Sequence, residues 1–78
     1  MSLMVEFTIE PFVEGDPGPH VRAAVEAAEQ SGLTVDFGPF GTSVAGDDQA
    51  VLAAVDNILR AATAAGATRV SLQVVRDD

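Results

Sequence analysis

A chain of 78 residues has room for one small domain, and at that size only about 60% of the unfolded surface is buried, so the core is marginal alone. Its formal charge of −8, from 12 acidic residues against four basic ones, disfavours nucleic acid and acidic membranes as partners and would favour a cationic ligand. Without cysteine there are no disulfides or thiolate metal sites, which fits the cytoplasm, and no apolar run approaches the ~20 residues that a membrane helix needs.

Met4 to Glu10 alternates. Val5, Phe7 and Ile9 fall on one face and Glu6, Thr8 and Glu10 on the other, the pattern of a strand with one buried side. Met4 offers a second start, so residues 1–3 are expected to be an appended segment. Pro11 ends the strand because it has no N–H to give the ladder. Glu14 to Pro19 is a turn-rich connector, in which Asp16 or Gly18 can cap a helix with proline at its first position. The spacing predicts that helix over His20–Ser31, with Val21, Ala24, Val25 and Ala28 as its apolar stripe. Gly32 is its natural stop.

Leu33 to Gly46 reads as two extended runs broken at Gly38-Pro39, a hairpin signal. Leu33, Val35 and Phe37 alternate with Thr34 and Asp36; Phe40, Thr42 and Val44 alternate with Gly41, Ser43 and Ala45. One face of the second run therefore carries only small residues. Asp47 and Asp48 open a second helix, where the dipole favours negative charge. Its apolar face of Val51, Leu52, Val55, Ile58, Leu59 and Ala62 is wider than that of the first helix, and Gly66 closes it. Ala67–Val75 is the last predicted strand, with Val70, Leu72 and Val74 inward and Arg69, Ser71 and Gln73 outward. A solvated tail follows.

The order β-α-β-β-α-β predicts a single α+β domain over residues 1–78 with right-handed crossovers. Interleaving the two units gives a ferredoxin-like sandwich, antiparallel sheet order 4-1-3-2, with two helices on one face. The helix face is predicted to hold Val5, Phe7, Ile9, Leu33, Val35, Phe37, Val44, Val70, Leu72 and Val74. Met4, Glu6, Thr8, Thr34, Asp36, Gly41, Ser43, Ala45, Arg69, Ser71 and Gln73 are left on the other. Small residues along a central strand let another sheet or a flat ligand approach the backbone closely.

The chemistry of other proteins with this topology is missing. Metal chaperones need paired cysteines, and there are none. RNA binders stack bases on exposed sheet aromatics amid basic charge; here Phe7, Phe37 and Phe40 belong to the inward set and Phe12 follows Pro11. Acylphosphatase-type enzymes hold phosphate with an arginine after the first strand, and the loop from Phe12 to Pro19 has none. A serine triad would require His20, the single histidine, to meet Ser43 or Ser71 across the proposed faces. At a helix start, His20 reads as a surface or capping residue, with contact to a ligand or neighbouring subunit as the alternative. Glu6 and Glu10 fit ordinary polar patterning, and an Arg69–Glu6 contact across neighbouring strands is expected to be structural.

The segments Glu6-Phe7-Thr8-Ile9-Glu10-Pro11, Ser31-Gly32-Leu33, Pro39-Phe40-Gly41-Thr42-Ser43-Val44 with Gly46-Asp47, and Ala65-Gly66-Ala67-Thr68-Arg69-Val70 resemble the thiamine-binding protein family in order and spacing. The resemblance implies a non-catalytic cytoplasmic protein that binds thiamine or its hydroxymethylpyrimidine half and assembles into dimers or tetramers through sheet and edge contacts. The chain departs from the family pattern at Ala45, where an acid is common, at His20, where an aromatic is frequent, and at Gly18, near a usual serine. No ligand-contact map is therefore carried over.

A thiazolium cation suits an acidic protein, and a flat pyrimidine suits a floor of Gly41, Ser43 and Ala45. The candidate ligand-binding residues are Glu6, Thr8, Thr42 and Ser43, with His20 beside them; Thr42 has an inward core position as its alternative. No catalytic residue, metal or cofactor is expected. The rival reading is a regulatory or assembly module resembling ACT domains, whose open sheet serves only subunit contact. An enzyme would need a cleft joining His20 to an acid of shifted pKa.

Overall fold

Period-two alternation becomes four strands and the 3.6-residue stripes become two helices in the computed structural model, which describes residues 2–11, 18–38 and 41–76. In chain order the elements are β1 (Ser2–Glu10), α1 (Pro19–Gln30), β2 (Thr34–Gly38), β3 (Gly41–Asp47), α2 (Asp48–Ala64) and β4 (Arg69–Arg76). Boundaries follow local chemistry. Gly18 is the N-cap of α1 and Pro19 its first residue, where a missing N–H costs no helical hydrogen bond. Gly32, at φ 76°, takes the left-handed turn that follows α1. Asp48 lies in the first turn of α2, its Oδ1 accepting the Gln49 N–H at 2.9 Å. Phe40, expected to start the second hairpin run, lies outside the described residues.

The sheet order is β2-β3-β1-β4, antiparallel throughout, which is the expected order read from the other edge. This is the ferredoxin-like α+β sandwich. Ser2 and Leu3 extend β1, opposite Asp47 and Gly46 of β3. Val5, Phe7, Ile9 and Val44 form the buried core with Val21, Ala24 and Ala28 of α1 and Val51, Ala54, Ile58 and Ala62 of α2. The two helices also pack against each other, and four of the residues they bury are alanines. No helix among the described residues is long and apolar enough to cross a membrane.

Two inward expectations need correcting. Phe37 is 56% exposed and Val74 48% exposed. Both stand on the helix side by register, opposite Thr42 and Val5, but on edge strands. Among the described residues every fully buried strand residue belongs to β1 or β3, so the two helices roof the central strands and stop short of the edges. A third correction is the partner of Arg69: β4 pairs Arg69 with Glu10, and the ion pair forms there at 3.6 Å, while Glu6 faces Gln73. With both side chains at least half exposed, that pair contributes about 0–1 kcal/mol.

One carbonyl accepts twice at the end of the β1–β4 ladder. The Thr68 N–H donates to the Glu10 oxygen at 2.8 Å and the Thr68 hydroxyl donates to the same atom at 3.2 Å. Thr68→Val keeps the backbone bond and removes the other, so a loss of at most about 1 kcal/mol is expected in urea unfolding. A larger loss would mean that the hydroxyl holds the end of β1 in place.

Candidate functional site

Antiparallel pairing sets residues of like orientation side by side, and on the helix-free face it builds one transverse row. Asp36 on β2 faces Ser43 on β3; Ser43 faces Glu6 on β1; Glu6 faces Gln73 on β4. Thr8 and Ser71 pair in the next row, beside the backbone of Gly41. Adjacent strands are ~4.8 Å apart, so the strands bearing Asp36 and Glu6 stand roughly 10 Å from each other, with Ser43 between them.

These residues line a shallow groove of about 720 Å³, within the range of small-molecule sites. Its floor is low because β3 presents only Gly41 and Ser43 here. A Cβ on Gly41 would lie 3.0 Å from the Phe7 carbonyl oxygen and 3.3 Å from Thr8 Cγ2, so a side chain there would have to press the neighbouring strand back by a few tenths of an ångström. Glu6, Thr8, Asp36, Ser71 and Gln73 are exposed, while Gly41 and Ser43 are half-buried. The site is thus an acid-flanked, hydroxyl-lined trough that the chain closes on one side only. Among the described residues, no group of three or more metal-ligating acids or histidines exists.

The sequence-predicted site residues divide. Glu6, Thr8 and Ser43 meet in the groove. Thr42 takes its inward alternative: its side chain is 4% exposed on the helix face, opposite Phe7, and only its backbone borders the groove. His20 takes the capping position expected at a helix start and not the ligand contact that was its alternative. Its Nε2 donates to the Pro11 carbonyl oxygen and its ring covers Gly18, so it is engaged at the start of α1 and does not line the groove. Asp36 and Gln73 were missing from the candidate set. Counting back from the turn, Gly38 opposite Gly41, puts Asp36 opposite Ser43, a signal the sequence does contain.

Comparison with known proteins gives a consistent picture. The family model described as thiamine-binding protein matches residues 5–78. A domain of unknown function from Bacillus cereus superposes with TM-score 0.76 at 25% identity, over 99% of this chain and 77% of that one. A candidate thiamine biosynthesis/salvage protein from Thermotoga maritima gives TM-score 0.58 at 22% identity, over 96% of this chain and 81% of that one. A Streptococcus pneumoniae protein gives 0.61 at 19%, over 96% and 83%. No curated relative matches the chain.

Proposed function

We propose that this chain, which belongs to the thiamine-binding protein family over residues 5–78, is a non-catalytic cytoplasmic protein that binds thiamine or its hydroxymethylpyrimidine half in the open-face groove, as a homo-oligomer. The observation that carries the reading is the row Asp36–Ser43–Glu6. Two carboxylates straddle a floor low enough for a flat ring, and a thiazolium cation is a charge they would favour. Ser43, Thr8 and Gln73 supply hydrogen-bonding groups for a pyrimidine. The Thermotoga maritima relative's assignment to thiamine biosynthesis or salvage supports the same chemistry. Small-molecule sites commonly bury 70–90% of the ligand; a one-sided trough reaches that only under a cover, and a second copy laid on the sheet face would provide one.

The test is calorimetric titration with thiamine and, separately, with hydroxymethylpyrimidine. Saturable heat with either compound supports the reading, and no heat at millimolar concentrations of both overturns it. In Glu6→Gln/Asp36→Asn, loss of charge-assisted contacts at about 1.5–3 kcal/mol each should weaken thiamine by at least tenfold, with hydroxymethylpyrimidine, which lacks the cation, much less affected. The shallowness of the groove favours a second reading, the ACT-like assembly module. It predicts a stable oligomer that releases no heat with either compound.

A further inference from the structure

Proteins hold phosphate with arginine or lysine, with helix N-termini, or with clusters of unpaired backbone N–H groups. The open-face groove offers none of these. Its lining carries the carboxylates of Glu6 and Asp36 and no basic side chain. The strands under its floor, β1 and β3, are each paired on both sides, so their N–H groups are committed to the ladders. Both helices pack on the opposite face of the sheet, and neither N-terminus reaches the groove.

The chain has four basic residues, and their placement keeps positive charge away from the groove. Arg60 is paired with Asp56 on α2 at 3.0 Å. Arg22 lies in a cleft with Phe37, between α1 and β2. Arg76 stands opposite Leu3, on the helix side by alternation. Of the four, Arg69 alone shares the groove's side of the sheet. It lies two residues beyond Ser71 along β4, about 7 Å, and it is turned to Glu10 at 3.6 Å. That pair carries no net charge, so Glu6 and Asp36 set the field over the groove.

We propose that the groove takes its ligand only as the free alcohol, and that Glu6 and Asp36 exclude the phosphate esters of the same compounds. The inference rests on the proposed ligand and adds the chemical form in which it is bound. In both thiamine and hydroxymethylpyrimidine, the hydroxyl that a phosphate would occupy is joined to a ring by a short carbon arm. A ring lying on the Gly41–Ser43 floor between the two acids therefore holds such a phosphate within about a Debye length, 8–10 Å, of at least one carboxylate. Like charges repel more strongly beside a protein wall than in open water. The phosphate would also shed hydration that no donor in the groove replaces except hydroxyls and one amide. In the ester of thiamine, the thiazolium cation offsets part of this repulsion. Hydroxymethylpyrimidine phosphate has no such offset and shows the larger gap.

Calorimetric titration of the full chain with each alcohol and its monophosphate tests the selectivity. At ~0.01 M ionic strength the ester should bind at least about tenfold more weakly than its alcohol. At ~1 M, where the Debye length falls to about 3 Å, the gap should narrow. In Glu6→Gln/Asp36→Asn it should close for hydroxymethylpyrimidine and its phosphate, with circular dichroism unchanged because both side chains are exposed. An ester that binds as tightly as its alcohol, or a gap that persists in the double variant or at high salt, overturns the proposal and leaves the ligand reading standing. No heat with either alcohol overturns both.

Discussion

Ile58→Ala is expected to remove about 2–5 kcal/mol of stability, most of what so small a domain possesses. Ile58 is 1% exposed and heads the fully buried side chains by volume, ahead of Val5, Val44 and Val51. It belongs to the cluster that joins α2 to the central strands. The neighbouring helix positions are Ala54 and Ala62, whose short side chains cannot swing into the space left, so the cavity stays largely open. Against a total of 5–15 kcal/mol for ordinary domains, at the low end for this length, the variant should be partly unfolded at room temperature. Urea unfolding measures it. A loss under about 1 kcal/mol would mean that Ile58 is not at the centre of the core.

Ser43→Leu is expected to abolish most ligand binding while leaving the domain folded. Ser43 stands between Asp36 and Glu6 in the transverse row and faces away from both helices, so a leucine there rises from the groove floor and displaces no core atom. A flat ring lifted off the strands loses backbone contact and its place between the carboxylates. A fall in thiamine affinity of at least about tenfold, or ~1.4 kcal/mol, is the expected calorimetric result. Thr42→Val, one residue away but buried on the other face, should leave affinity unchanged. Retained binding in Ser43→Leu would move the site elsewhere, and loss of binding in Thr42→Val would point to the fold as the cause.

Alternation states which side of a sheet a residue takes, and for Val5, Phe7, Ile9 and Val44 side and burial coincide because β1 and β3 are central. For Phe37 and Val74 they do not. Their side was legible, but their exposure depends on how far two helices reach across the sheet, which alternation along a strand does not state. Register was the second gap. A strand can slip by two residues without moving any side chain to the wrong face, so the pattern alone could not tell Glu10 from Glu6 as the partner of Arg69. The groove was half legible for the same reason. Glu6, Thr8 and Ser43 follow from parity, whereas Asp36 joins them only once the hairpin is counted from its turn. His20 was legible as a capping residue at a helix start; only its partner, the Pro11 carbonyl, depends on how the preceding loop folds back.

β1 occupies the middle of the sheet, and both of its neighbours follow far along the chain: Leu3 lies opposite Gly46 on one side and Arg76 on the other. Such distant pairings are slow to close relative to a helical bundle of the same length. During synthesis β1 therefore waits with Val5, Phe7 and Ile9 uncovered until β3 and β4 have emerged. That interval is when misassociation between nascent chains is most favourable, and the acidic side chains alternating with those three residues give the waiting strand its solubility.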